Sequence, residues 1–242
     1  MSLKQAEILG VNVNSLTMVQ AVEKVQLFIV ERKNALIATA NAEMLMRATQ
    51  DEELKHILNS ADLVVPDGAG TVWAANYLGV EMPERVAGYD LAQELMREAP
   101  GRGDRIYFFG SAPGVAESAR EKAMELYPGI KIVGTRNGFF SEADEPEIIA
   151  EIKAARPDIL LAALGVPKQE KWLYKYRQEL QVPVAIGVGG TLDVMAGVMQ
   201  RAPLWMQKAK LEWLFRGLKQ PSRAGRLLAL PKFVMKVMAS KK

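Results

Sequence analysis

The sequence predicts a doubly wound α/β fold built on a mostly parallel sheet, Rossmann-like in outline. Two observations carry that prediction. Short apolar runs rich in valine, isoleucine and leucine recur along the chain, as strands buried on both faces require. Between them lie amphipathic segments, and strands alternating with helices at this spacing form parallel sheets. A third observation bounds the architecture: the alternation stops near "QRAP", residues 200–203, where a strongly basic stretch begins. The chain therefore reads as an α/β catalytic-size domain over 1–200 and a helical appendage over 201–242.

The elements follow in order. "AEILGVNV" is read as one strand, and "SLTMVQAVEKVQLFIVER" as a helix over 17–32 with Val22, Val25, Ile29 and Val30 on its apolar side. "ALIATA" is the next strand. A helix over 42–58 follows, in which Leu54, Ile57 and Leu58 share the buried face. "DLVVP" leads into a helix over 69–78 and another over 89–98. "RIYFFG", "KIVGT", "ILLAALG" and "VAIGVG" are the remaining strands, each followed by a helix, over 114–126, 145–155, 168–180 and 191–199. No internal repeat or low-complexity segment interrupts the pattern.

The charge is divided unevenly. Residues 201–242 hold eleven Lys and Arg against one acid, Glu212, while residues 1–200 hold 20 basic and 27 acidic residues. A mildly acidic body thus carries a basic tail, which points to an anionic surface or ligand at that end. In "LWMQKAKLEWLFRGLK" one helical face collects Leu204, Leu211, Leu214, Phe215 and Leu218. In "RLLALPKFVMKVMASKK" another collects Leu227, Leu230, Val234, Val237 and Met238, with Lys232 and Lys236 behind. Trp205 and Trp213 lie nearby. Two readings share this pattern: helices lying in the interface of an anionic membrane, or helices covering a core or an oligomer contact. Nucleic acid is not expected as a partner, because phosphate contacts would want a polar face.

Several chemistries are excluded outright. There is no cysteine, hence no disulfide, thiol nucleophile or cysteine metal site. The single histidine, His56, points away from the apolar side of its helix and reads as a surface residue. Zinc hydrolysis, Ser-His-Asp and Cys-His mechanisms all fail for want of residues. Acid–base work falls to Asp, Glu, Lys or Tyr. "MSLKQAEILG" lacks the apolar stretch of a secretory signal. The longest apolar run, "ILLAALGV", is short of the about 20 residues a spanning helix needs. The expected location is cytosolic.

Open parallel sheets bind ligands beyond the carboxyl ends of their strands. Five predicted exits carry polar or glycine residues: Thr39 and Asn41 after "ALIA", Asp67 after "LVVP", "GSAPG" with Gly110 and Ser111, "GVPKQE" with Lys168 and Gln169, and "GVGGTLD" with Gly187, Gly189, Gly190 and Asp193. Gly138 and Phe139 join them as candidate nucleotide-binding residues. "GVGGTLD" fails the dinucleotide fingerprint, since Leu192 stands where the third glycine would be, and "GSAPG" lacks the Walker ending. Both still suit a backbone that approaches a phosphate or ribose, and Asp193 is placed to take ribose hydroxyls. Either loop taken alone also reads as an ordinary strand–helix turn. In "LVVPDGAG" Asp67 is either turn chemistry or a proton acceptor in a cleft. No Asp-x-Asp occurs, so no obvious carboxylate pair holds a divalent ion for a nucleotide. Arg85, Arg216, Arg223 and Arg226 are the candidates for diphosphate charge, with a solvated or lipid-facing role as the alternative for the tail arginines.

Read together, "TANAEM", "PDGAG", "ERVAGYDL", "GVPKQEKW" and "GVGGTLDVMAGVMQRAPLWMQKAKLEWLFR" resemble the TagA/WecG/CpsF family of bacterial glycosyltransferases, in order along nearly the whole chain. The resemblance implies transfer of a sugar from a UDP-sugar to a polyprenyl-diphosphate-linked acceptor, with inversion and without metal or other cofactor. For TagA-like members it implies N-acetylmannosamine moving to the 4-hydroxyl of lipid-linked N-acetylglucosamine, the step that commits the lipid to wall teichoic acid. Relatives use N-acetylmannosaminuronate or glucose instead. Carried over by position, Asp67 is the base, Thr39 and Asn41 line its pocket, and Arg85 and Gln169 occupy matching places. Gln169 and Asn41 are expected to hold sugar hydroxyls, and the tail to dock on the inner face of the cell membrane and close over the site. A homo-oligomer through the apolar tail faces is a further expectation.

Overall fold

A computed structural model describes residues 3–208, 214–215 and 229–241. Its centre is a six-stranded, wholly parallel sheet of order β4-β3-β8-β7-β5-β6. The strands are β3 (Ala35–Ala40), β4 (Leu63–Pro66), β5 (Arg105–Gly110), β6 (Lys131–Arg136), β7 (Ile159–Ala163) and β8 (Val184–Gly187). Helices cover both faces, and the side-chain period of two divides each strand between two cores. In β3, Ala35 and Ile37 enter the core formed with α1 (Met18–Val30), α5 (Gly88–Arg102), α6 (Val115–Leu126) and α9 (Thr191–Met195). Leu36, Ala38 and Ala40 enter the opposite face, packed by α2 (Ala42–Ala48), α3 (Glu52–Ser60), α4 (Ala69–Tyr77), α7 (Glu145–Ala155) and α8 (Lys168–Leu180).

Several elements differ from their sequence reading. "AEILGVNV" is not one strand but a hairpin, β1 (Gln5–Ile8) against β2 (Val11–Asn14). Leu9 and Gly10 both take positive φ, 52° and 83°, which is the geometry of a tight two-residue turn. The Asn14 side chain then accepts from the Val64 N–H of β4, so the hairpin seals the sheet edge. The helix read over 42–58 is broken at 49–51, where Asp51 Oδ1 accepts from Leu54 N–H and starts α3 afresh. Helix α5 runs past the expected stop, through Pro100, to a left-handed Gly103. In α1 the buried face is turned slightly from the expected one. Phe28 is inside, and Val30 is 73% exposed.

The basic tail begins by packing on the body. Ala202 and Met206 are buried around α10 (Leu204–Lys208), whereas Trp205 is 65% exposed. The C-terminal helix α11 (Ala229–Ser240) lies against α2 and α4. Its buried residues are Phe233 and Val237, with Leu230 packed beside them, and Met238 faces outward. The aromatic at 233 was absent from the expected apolar face. For this helix the core-covering role is the one observed. Its lysines Lys232 and Lys236 are exposed, as expected, and Lys236 Nζ reaches Thr49 Oγ1 at 2.7 Å. Leu211 and Leu218 of the preceding segment fall outside the described residues.

Phe233→Ala removes the largest side chain that holds α11. It should cost about 3 kcal/mol of local stability. Backbone hydrogen exchange over 229–240 should accelerate before exchange in β3 changes, because α11 can detach without opening the sheet.

Candidate active site

All six parallel strands end on one edge, and the sequence-predicted residues collect there. At the exit of β3, Thr39 is buried and its Oγ1 donates to the Gly187 carbonyl of β8 at 2.9 Å. Its side chain packs on Gly88, where an added Cβ would come within 2.9 Å of Thr39 Cγ2. Asn41 caps α2, its Oδ1 accepting from Met44 N–H at 3.0 Å. The amide oxygen expected to hold a sugar hydroxyl is thus in use as a helix cap.

Asp67 follows β4. Its N–H donates to Ala40 O at 2.9 Å, so the residue is pinned beside the β3 exit, and its side chain is half-buried. Gly68, at φ 103°, makes the turn into α4. Thr71, buried in the first turn of that helix, donates its hydroxyl to Ala40 O at 2.9 Å. The segment from 82 to 87 returns to the same place, because Val86 N–H donates to Pro66 O at 3.0 Å. That bond brings Arg85 next to the Asp67 turn. Arg85 Nη2 lies 3.4 Å from Asp90 Oδ2. Arg201 grips the same Asp90 with two bonds, of 2.6 and 2.8 Å, and stacks 4.5 Å over the Tyr89 ring. Arg201 stands inside the longest of the quoted motifs, but nothing in the sequence marks it as a site residue; its relevance appears only when α5 is brought against the start of the tail.

A second group forms over β5, β6 and β8. Gly110 has φ 126°, and a Cβ there would lie 2.4 Å from Ala163 O, so no other residue fits. Ser111 N–H donates to Ala163 O, Gly138 N–H to Ser111 O at 2.8 Å, and Ser111 Oγ to Asp193 Oδ2 at 3.1 Å. Gly190 lies beside that carboxylate. Phe139 is 74% exposed on the rim, a flat apolar face with no packing role. Lys168 Nζ reaches Gly138 O at 3.3 Å and sits 3.9 Å over Phe140. The following helix, α6, has Gly114 as its N-cap with no side-chain cap, and its first N–H, of Val115, donates to Ala112 O at 3.1 Å.

Gln169 joins the two groups, though not in the manner expected. It is 1% exposed, and its Oε1 accepts from Gly165 N–H and Gly189 N–H, both at 3.1 Å. Its Nε2 donates to Glu170 Oε1 at 2.7 Å. The side chain ties the β7 and β8 exits together beneath the site, a bracket rather than a sugar contact. Glu170 is the residue that sequence reasoning passed over, since "PKQEKW" gives no sign that its acid is buried. It is 2% exposed, its Oε2 has no hydrogen-bond partner in the structure, and burial pushes its carboxyl up to about 7. Arg216, Arg223 and Arg226 lie outside the described residues, and no group of three or more Asp, Glu or His among the described residues could hold a metal ion.

The profile of the glycosyl transferase WecG/TagA/CpsF family matches residues 6–242. This chain belongs to that family. Similar proteins include an N-acetylglucosaminyldiphosphoundecaprenol N-acetyl-beta-D-mannosaminyltransferase of Bacillus spizizenii, 38% identical over 86% of this chain and 80% of the relative. The Bacillus subtilis protein of the same name is 34% identical over 96% of this chain and 89% of its own length. That of Staphylococcus aureus strain MW2 is 32% identical over 98% and 94%. The chain is accordingly a glycosyltransferase on an α/β Rossmann-like body. His56 has no place in this site: it is exposed on α3, its Nε2 3.1 Å from Tyr174 Oη. Among the described residues no helix is long and apolar enough to cross a membrane.

Glu170 makes the stability of this enzyme depend on pH in one direction. Its folded-state pKa of about 7 stands above the ordinary 4.5, so the folded chain holds the proton more tightly. Stability from this group is full below pH 4.5 and declines as the pH rises to 7, by on the order of 3 kcal/mol. Glu170→Gln should remove that decline. The difference in unfolding free energy between variant and parent should widen between pH 4.5 and 7 and stay level above it, read by denaturant melts.

Proposed function

We propose that this glycosyltransferase moves N-acetylmannosamine from UDP-N-acetylmannosamine to the 4-hydroxyl of N-acetylglucosamine carried on a polyprenyl diphosphate, with inversion and without a metal. The relatives' names supply the sugar and the acceptor. The observation that carries the chemistry is Asp67, held at the β4 exit with the Arg85 segment beside it.

In this reading the acceptor O4 attacks the sugar C1 from the face opposite the nucleotide. The O4–C1 bond forms as the C1–O bond to UDP breaks, the O4 proton passes to the Asp67 carboxylate, and UDP leaves with the bonding pair. An inverting transfer needs one base and no protein nucleophile. The UDP end lies over the Ser111–Asp193–Gly138 group, where Asp193 can accept from ribose hydroxyls and Phe139 offers its face to the base. Charge on the departing diphosphate is met by arginines and by the positive end of the α6 dipole. Arg85 is the described candidate, and Arg216, Arg223 and Arg226 complete the set from the tail.

The acceptor stays in a bilayer, so the enzyme works at the inner face of the cell membrane. Because α11 uses Phe233 and Val237 on its own body, membrane contact falls to its lysines, its exposed Met235 and Met238, and Trp205 of α10.

Asp67→Asn should lower turnover by about 10²–10⁴ while UDP binding stays within experimental error. Turnover is measured by mass spectrometry on a short-chain lipid-diphosphate N-acetylglucosamine with UDP-N-acetylmannosamine, in EDTA. A product one N-acetylhexosamine heavier establishes donor, acceptor and metal independence together. UDP binding without product sends the donor assignment to UDP-N-acetylmannosaminuronate or UDP-glucose. An Asp67→Asn enzyme with full turnover would reduce Asp67 to a turn residue.

A further inference from the structure

The most unusual buried group lies under the site. Glu170 is a carboxylic acid 2% exposed in the second residue-pair of α8, with one oxygen hydrogen-bonded to Gln169 and the other without a partner. Nothing about stability calls for it. A buried carboxyl with a lone unpartnered oxygen costs folding free energy, and an apolar side chain of similar volume at such a place is commonly neutral or stabilising. Its neighbour supplies the reason for its presence.

The Gln169 amide has two orientations of nearly equal shape and opposite chemistry. In the observed one, its oxygen faces two donors, Gly165 N–H and Gly189 N–H, and its NH₂ faces an acceptor, Glu170 Oε1. Turned over, the NH₂ would meet the two N–H groups, and the oxygen would meet the carboxyl oxygen. The acceptor at Glu170 thus acts with the two glycine donors to select the orientation in which β7 and β8 are bridged. The strand has made room for this arrangement: a Cβ at Gly187 would lie 2.6 Å from Gln169 Nε2 and 2.9 Å from Glu170 Oε1. The same Gly187 receives the Thr39 hydroxyl through its carbonyl, which extends the arrangement to the β3 exit beside Asp67.

We propose that Glu170 is a positioning residue for glycosyl transfer: its carboxyl oxygen sets the Gln169 amide, and through that amide it holds the exit loops of β7 and β8 in the arrangement that receives the nucleotide. The part concerning the nucleotide rests on the donor-binding reading above. The part concerning the loops does not.

The test uses the full chain with Glu170→Gln, which keeps an acceptor oxygen at the same reach, and Glu170→Leu, which keeps volume and removes it. Two quantities are read: hydrogen exchange at the Gly165 and Gly189 amides by NMR, and UDP affinity by calorimetry. Glu170→Gln should retain slow exchange at both glycines and the parent's UDP affinity. Glu170→Leu should exchange at both glycines about tenfold faster and bind UDP about tenfold more weakly, with a melting temperature equal to the parent's or higher. Weaker binding in a more stable protein is a pattern that a purely structural role does not produce. Unchanged protection of both glycines in Glu170→Leu overturns the proposal, as does equal loss in the two variants. If Glu170→Leu does not fold, Glu170→Asp, which withdraws the oxygen by one methylene, is judged by the same two readouts. If the parent itself binds no UDP, the donor reading fails, and the glycine exchange still decides the role of Glu170.

Discussion

The carboxyl edge of the sheet depends on how closely three strand exits can be drawn together. Thr39 on β3 bonds the Gly187 carbonyl of β8, and Gln169 bridges the loops after β7 and β8. Each bond alone is worth about 1 kcal/mol net, but an unmatched partner left in this buried place would cost about 1–3 kcal/mol. The three exits are therefore fixed as a unit. Glycine is what permits it: at Gly110 and Gly187 any side chain would overlap the neighbouring exit or the Gln169–Glu170 pair. The result is a rigid floor of backbone and amide groups, from which Asp67, Arg85, Ser111, Asp193 and Phe139 project.

That floor separates two kinds of polar residue. Those inside it, Thr39, Gln169 and Thr71, spend their hydrogen bonds on the protein and set geometry. Those above it keep part of their capacity for other groups, as the half-buried Asp193 does with one oxygen on Ser111. The distinction matters for a reaction in which a proton acceptor must meet an attacking oxygen within hydrogen-bond reach, since a small displacement of the base is costly in rate. In the inverting transfer proposed above, which uses no protein nucleophile, the reaction relies on such placement.

The basic tail is less separate from the body than its composition suggests. Arg201 is anchored on Asp90 at the start of α5, Met206 is buried, and α11 completes the core against α2 and α4. Leu230 of that helix lies 3.1 Å from the place a Cβ would take at Gly70, one turn from Asp67. Helix α11 is thus packed against the helix that follows the proposed base.

Much of this was legible in the sequence. Apolar runs separated by amphipathic segments determined the strands, their parallel arrangement and the edge where Thr39, Asn41, Asp67, Gly110 and Gly187 assemble, because burial on both faces leaves such runs no other stable home. The hairpin at Leu9–Gly10 was not legible, since a leucine in a left-handed turn gives no turn signature. Only the tertiary structure decided which polar residues face outward. Gln169 and Lys168 are adjacent in one motif, yet one is buried and the other exposed, and Glu170 is buried with its carboxyl against Gly187 of β8. Periodicity reports that a helix has an apolar side, but the direction of an amide and the burial of an acid are set by neighbours from other elements. The same holds for α11, whose apolar residues suit lipid and core equally until Phe233 is seen inside the second core.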